Sequence, residues 1–96
     1  MNDFKNIVAS DLLACLKDIS SEISLSVEEI SDIFEYPPDP NLGDIAFPCF
    51  KLSKLLRKSP VLIAQQISSK LKSEVISETR AVNGYLNIFE SNDHLI

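Results

Sequence analysis

Two side chains near the end of this 96-residue chain have types and a spacing that suit ligand binding. Tyr85 and Asn87 stand two residues apart, directly after the dipeptide Asn83-Gly84. On a strand they would share one face, about 7 Å apart. A tyrosine ring can stack on an unpaired nucleotide base, and a carboxamide offers one acceptor and two donors to the base edge. A purely structural reading stays open, in which Asn83 forms a turn, Tyr85 lies in the core and Asn87 satisfies a strand end.

A second candidate is the basic middle of the chain. Residues 45–73 contain six Lys or Arg and no acid, whereas residues 1–44 contain two Lys and ten acids. Lys and Arg side chains bind phosphates, so this segment allows a local contact with a polyanion. The net charge of −5 argues against nonspecific nucleic-acid binding. A solvated outer face of two helices accounts for the same charges. The candidate phosphate contacts are Lys51, Lys54, Arg57 and Lys58.

The sequence contains few residues that could form a catalytic or metal site. Its one histidine, His94, falls within the last three residues, where a frayed tail or linker is expected. Cys15 and Cys49 each lie in an apolar stretch, which predicts buried, reduced thiols in a cytosolic protein. We therefore predict no catalytic residue and no metal ligand in the chain. No apolar run approaches the roughly 18–20 residues of a membrane span, and no signal peptide is recognisable.

The N-terminal part of the chain predicts a helix over residues 3–20. Its apolar side chains recur at spacings of three and four, so they form one stripe that can face a core. Asn2 or Asp3 can serve as the N-cap. The stripe consists of Phe4, Val8, Leu12, Cys15, Leu16 and Ile19.

The following segment predicts a short helix and then an irregular stretch. Ser26 and Glu29 match a capping box, which predicts a helical turn at 26–30. Residues near 32–36 predict a short strand. A loop rich in proline and other turn-forming residues then runs over 37–44.

Two further helices are predicted in the basic middle. Pro48 suits the first turn of a helix at 46–58, with Asp44 helping to cap it. Ser59-Pro60 is a second combination of cap and first-turn proline, and it predicts a helix at 60–72.

The last third of the chain changes to the alternation typical of strands. Residues 77–82 and 85–90 flank Asn83-Gly84, which is a strong signal for a two-residue β-hairpin turn. We therefore predict an α+β fold of two layers. A small antiparallel sheet of three or four strands is covered on one face by about three main helices, and its other face is free to meet solvent or a partner.

Two segments resemble the N-terminal additional domain of arginyl-tRNA synthetase. The first runs from Gly43-Asp44-Ile45-Ala46-Phe47-Pro48 through the Lys-rich stretch to Ser59-Pro60-Val61-Leu62-Ile63-Ala64. The second is the terminal Ala81-Val82-Asn83-Gly84-Tyr85-Leu86-Asn87-Ile88-Phe89. They occur in the order of that family and at about its spacing, and the resemblance covers residues 33–90 best.

The resemblance implies a two-layer α+β domain that touches the D-loop at the outer corner of tRNA(Arg). It implies a parent enzyme, a class I ligase that joins L-arginine to tRNA with ATP and magnesium in a separate catalytic domain. On this reading residues 1–90 are a non-catalytic tRNA-contacting domain without a cofactor of its own. Residues 91–96 are a tail leading to the catalytic domain, and the protein is cytoplasmic, with no membrane or DNA partner.

The resemblance also assigns the D-loop contacts to Asn83, Tyr85 and Asn87. Many relatives have an extra residue in the turn, so position 83 here corresponds to one of two neighbouring positions in them. The rival hypothesis is a stand-alone protein-interaction module that uses the exposed sheet face or the predicted helix 46–58. A reading frame that continues into a synthetase catalytic domain would separate the two hypotheses.

Overall fold

The structure is a computed structural model, and it describes residues 3–91. The alternative N-cap at Asn2, His94 and all of the predicted tail except Ser91 lie outside these residues. The domain boundary at residue 90 stays a prediction. The helices are α1 (Asp3–Ile19), α2 (Val27–Ile33), α3 (Ser53–Leu56) and α4 (Pro60–Lys70), and the strands are β1 (Ile45–Pro48), β2 (Ile76–Val82) and β3 (Tyr85–Glu90).

Local sequence signals set the starts of the second and fourth helices. The Glu29 N–H donates to Ser26 Oγ at 3.1 Å, and the Ser26 N–H donates to Glu29 Oε1 at 2.9 Å, so the predicted capping box is present. Ser59 caps α4 by accepting from the Leu62 N–H at 3.2 Å. Pro60 follows Ser59 at the first helical position, as the sequence predicts.

The three strands form one antiparallel sheet in the order β1-β3-β2. Asn83 and Gly84 join β2 to β3 with φ of 52° and 82°. Two successive positive φ angles suit the right-handed twist of a hairpin, and the predicted hairpin is confirmed.

The helices cover one face of the sheet, as the predicted two-layer α+β fold requires. The helix α4 packs on β2 and β3, and α1 packs on α2 and α4. Alternate residues of β1 and β3 supply the core under the helices. The largest completely buried side chains there include Phe47, Ile45, Leu86, Ile88, Leu12, Leu16, Ile63 and Ile67.

The predicted helix at 46–58 is wrong over its first half. Residues Ile45–Pro48 form β1, and only after a 3₁₀ turn at Cys49–Leu52 does the short helix α3 begin. All four residues of β1 are buried, and a short apolar run of this kind has no period that separates strand from helix. Pro48 ends β1, which is an edge strand of the sheet, and a residue without a backbone N–H is tolerated on an edge strand.

Two neighbouring predictions also need correction. The strand expected near 32–36 is reduced to a bridge between Glu35 and Ala46, because α2 continues through Ile33. Asp44 does not cap a helix. Its carboxylate accepts from the Glu90 N–H at 2.7 Å and its own N–H donates to the Ile88 carbonyl, which ties the start of β1 to the end of β3. The helix α4 ends at Lys70, two residues earlier than predicted.

Candidate functional site

A depression of about 370 Å³ lies on the sheet face opposite the helices. Its floor comes from outward-facing residues of the three strands, and its wall comes from the proline-rich loop between α2 and β1. All three residues predicted to contact the D-loop line it together. The lining residues are Glu35, Tyr36, Pro37, Pro38, Leu42, Ala46, Val82, Asn83, Tyr85 and Asn87.

Strand register explains why these side chains meet. Asn87 on β3 stands between Ala46 on β1 and Arg80 on β2, and Ala46 is bridged in turn to Glu35. Directly paired residues project to the same side of a sheet. The small Ala46 side chain leaves room above the floor, and this room is the depression.

Asn87 is the unusual residue of the site. It is only 6% exposed, and it is the one polar residue among those buried in the described part of the chain. Its carboxamide has no hydrogen-bond partner within residues 3–91. In the described part of the chain, every buried side-chain nitrogen or oxygen without a partner still reaches solvent, and the Asn87 amide is therefore open to solvent too. The amide atoms therefore reach the depression, where they are available to a ligand.

The Tyr85 ring is held in place by a neighbouring ring. Phe50 meets it edge to face, with ring centroids 5.8 Å apart and planes at 73°. Phe50 itself is 48% exposed. The Cys49 N–H donates to the Gly84 carbonyl at 3.0 Å and so fixes the 3₁₀ turn that presents Phe50. Tyr85 is thereby presented in one orientation at the edge of the depression.

A loop of turn-forming residues makes the wall of the depression. The Asn41 N–H donates to Asp39 Oδ1 at 2.9 Å within this loop. Tyr36 is 60% exposed, and the Lys5 ammonium lies 5.3 Å from the centre of its ring. Sequence reasoning missed Tyr36 as a site residue. Its position beside Pro37-Pro38 was visible, but the bridge that brings it to the strands was not.

The four candidate phosphate contacts do not enter the depression. Lys51, Lys54 and Arg57 are exposed, whereas the half-buried Lys58 donates from Nζ to Gln66 Oε1 at 3.0 Å. They lie in the segment that packs against the hairpin end of the sheet, where Pro60 is in close contact with Gly84. These four residues form a basic flank that lies outside the lining of the depression.

Both thiols are free and buried, as predicted. Burial raises the pKa of the Cys49 thiol to about 12, and burial is also the main cause that raises the pKa of Cys15. In the stretch from 3 to 91, no three His, Cys, Asp or Glu side chains gather as metal ligands would. None of the helices there is long and apolar enough to cross a bilayer.

Comparison with known proteins gives the fold a family. The sequence profile described as the arginyl tRNA synthetase N terminal domain matches residues 6–89. An arginine–tRNA ligase of Clostridium perfringens is 37% identical over 87 residues, which cover 91% of this chain and 14% of the ligase. One from Clostridioides difficile is 38% identical over 96 residues, or 99% of this chain and 16% of the ligase.

A solved structure agrees with the sequence comparisons. The Thermus thermophilus arginyl-tRNA synthetase aligns with a TM-score of 0.71 and 30% identity, over 91% of this chain and 14% of the synthetase. The chain thus spans 14–16% of the length of the ligases named above. The resemblance drawn from the sequence motifs is confirmed, and the chain belongs to the family of arginyl-tRNA synthetase N-terminal domains.

Proposed function

We propose that this chain is the tRNA-contacting domain of an arginine–tRNA ligase and that its depression receives an unstacked base of the tRNA D-loop. The parent enzyme would join L-arginine to tRNA(Arg) with ATP and magnesium in its catalytic domain, in the cytoplasm. The domain itself would contribute binding and no catalytic group. Family membership and the geometry of the outer sheet face support this proposal.

The observation on which the proposal depends is the open carboxamide of Asn87. The carboxamide has no partner within residues 3–91 but remains open to the depression, so it can exchange hydrogen bonds to water for hydrogen bonds to a ligand. A base edge does this, since it presents both kinds of group in one plane. Single-stranded loops are the parts of RNA whose base edges are free for such contacts.

The surroundings of the amide suit the flat face of a base. Tyr85 offers a ring from the strand side, while Pro37, Pro38 and Leu42 offer apolar surface from the loop side. The volume of about 370 Å³ falls at the small end of the range of ligand pockets and fits one base rather than a helix of RNA. Stacking together with one hydrogen-bonding amide would give a modest, local contact.

The basic flank would add contacts to the RNA backbone. Lys51, Lys54 and Arg57 are exposed and lie towards the hairpin end of the sheet. Phosphate contacts of this kind weaken as salt rises, because binding releases counterions. Lys58 is a weaker candidate, since its ammonium already donates to Gln66.

A titration of the 96-residue chain with a tRNA(Arg) D-arm stem-loop tests the proposal. Amide signals of residues 83–89 and of the loop 35–42 should shift on addition of RNA. Tyr85→Ala and Asn87→Ala should each weaken binding by about 1–3 kcal/mol, the usual value of a base contact. Asn6→Ala is the matched control, because Asn6 is exposed on α1 and should leave binding unchanged.

Enzyme kinetics give a second test in a ligase that contains this domain. The double substitution of Tyr85 and Asn87 should raise the KM for tRNA and leave arginine activation almost unaltered, because arginine and ATP bind elsewhere. Wild-type tRNA kinetics in the double variant would refute the contact. The isolated chain should bind tRNA weakly, because one small patch barely offsets the entropy cost of association. Tight binding by the chain alone would contradict an auxiliary contact.

A further inference from the structure

Arg80 is the only cation among the residues of the three strands. Its register partner is Asn87, so the two side chains leave the same face of the sheet from neighbouring strands. Cβ atoms of directly paired residues are about 4.5–5.5 Å apart. The row continues on the other side through Ala46 to Glu35, which lines the depression. A cation and a carboxylate thus stand at opposite ends of the row that contains the Asn87 amide.

The Arg80 guanidinium is held in a defined position. Its Nε donates to Glu78 Oε2 at 2.7 Å, and its central carbon lies 4.9 Å from the centre of the Phe89 ring. Phe89 is the next residue of β3 after Asn87 on this face. The Arg80 side chain is nevertheless 55% exposed. Of its five N–H donors only the Nε group is used in this ion pair, which leaves the four on its two terminal nitrogens.

This arrangement matches what a phosphate requires. The guanidinium fork pairs with two phosphate oxygens at once, and a fork already fixed by neighbours loses less freedom on binding. Glu35 at the opposite end of the row repels a phosphate. The two charges therefore orient a bound nucleotide, with its base over Asn87 and its backbone on the β2 side.

We propose that Arg80 binds a phosphate of the nucleotide whose base occupies the depression, and so fixes the direction in which the RNA strand crosses the sheet. This inference rests on the proposed RNA contact of Tyr85 and Asn87. Glu78 holds the Nε edge of Arg80 during binding, while the terminal nitrogens turn to the phosphate. The carboxylate of Glu78 also competes with the phosphate for the same positive charge.

Salt dependence distinguishes a phosphate contact from a structural role. The affinity of the 96-residue chain for a tRNA(Arg) transcript is measured between about 50 and 200 mM salt, and each phosphate contact to a single strand contributes about 0.7 to the logarithmic slope. Arg80→Gln should weaken binding at low salt by about three- to tenfold and lower the slope by about 0.7. Arg80→Lys keeps the charge and should keep the slope.

One further variant sharpens the test. Lys17→Gln makes the same charge change on α1, among the helices, and should alter neither affinity nor slope. A slope that falls equally in Lys17→Gln and Arg80→Gln would overturn the assignment.

The outcomes also separate this inference from the proposed function. An unchanged slope in Arg80→Gln, with binding still weakened by Tyr85→Ala and Asn87→Ala, overturns the role of Arg80 and leaves the base contact in place. If those two substitutions have no effect, or if the wild-type chain gives no spectral change with tRNA, the proposed function fails and the assignment of Arg80 fails with it.

Discussion

The two faces of β3 differ in how completely the protein uses them. Leu86 and Ile88 point to the helices and are completely buried in the core. Tyr85 and Asn87 alternate with them and line the depression on the other face. A strand with one face packed normally has polar, solvated residues on the other. Here the second face has instead a ring and a nearly buried amide, as the proposed base contact requires.

Polar groups show the same difference. On the helix side, the Thr79 hydroxyl of β2 is 2.7 Å from the Ser68 hydroxyl of α4, so a strand side chain is paired with the layer above it. On the outer side, the Asn87 carboxamide lacks a partner among residues 3–91. The helix side therefore stabilises the domain through satisfied contacts, and the outer side keeps an unused hydrogen-bonding capacity.

Substitution of adjacent residues on β3 should give the largest separation between the two faces. Ile88→Ala removes a fully buried side chain from under the helices and should cost about 2–5 kcal/mol of unfolding free energy. Asn87→Ala removes an amide without a partner in the described structure and should cost far less. Urea denaturation followed by circular dichroism measures both values.

Stability and RNA affinity, measured together in the two variants, decide whether the two faces of β3 have different roles. Ile88→Ala, where it folds, should keep its affinity for the D-arm stem-loop, because Ile88 does not line the depression. Asn87→Ala should lose that affinity while keeping its stability. Equal losses of stability in the two variants would mean that the outer face is a structural face like the inner one.

Gly43 lies in the loop before β1, against the backbone of β3. Its substitution should cause the next largest loss of stability. Its φ is +104°, and a Cβ there would lie 2.9 Å from the Ile88 carbonyl oxygen. Gly43→Ala should therefore cost about 1–3 kcal/mol from backbone strain alone, with the clash against β3 in addition. Thermal unfolding measures the loss.

A substitution in the opposite sense is the control for Gly43. Asn83→Gly places glycine at a φ of 52°, which glycine adopts freely, and the unfolding free energy should change by only a few tenths of a kcal/mol. A Gly43→Ala variant as stable as the wild type would show that the approach of this loop to β3 is not tight. The wall of the depression would then adjust to each ligand.

The sequence predicted the parts of this fold that depend on local signals. The Asn83-Gly84 turn and the Ser26–Glu29 capping box are determined by neighbouring residues, and both are present. The first half of the predicted helix 46–58 failed because residues 45–48 pair with a strand about 40 residues away, and only that pairing decides their conformation. Propensity alone could not have shown it.

The candidate site also combines residues that local sequence predicts with residues that only strand pairing brings together. Tyr85 and Asn87 could be placed on one face from strand alternation, since both belong to a single element. Tyr36 and Arg80 reach that face through the Glu35–Ala46 bridge and the β2–β3 register, which are long-range or set by the exact pairing. Their places on that face could not be derived from sequence spacing.

Removal of the paired hydroxyl on the helix side should have a smaller effect. Thr79→Val keeps the shape of the side chain but leaves Ser68 without this partner, so it should cost about 0.5–1.5 kcal/mol. Ser68→Ala in the Thr79→Val background should cost little more, because the interaction is already lost. Additive losses in the double variant would show that the two hydroxyls act independently. RNA binding should be unchanged in both variants.

Titration of the buried Cys49 thiol, on the helix side, should not change the unfolding free energy at neutral pH. Burial raises the pKa of Cys49 to about 12 from an ordinary value of 9.0, so the folded and unfolded states are both protonated below pH 9. Between these values the unfolded chain loses its proton and the folded chain keeps it, so stability should fall as pH rises. Cys49→Ala should show a shallower loss over this interval in urea denaturation, because the other titrating groups are common to both proteins. Parallel curves for the two proteins would mean that the thiol is already open to solvent.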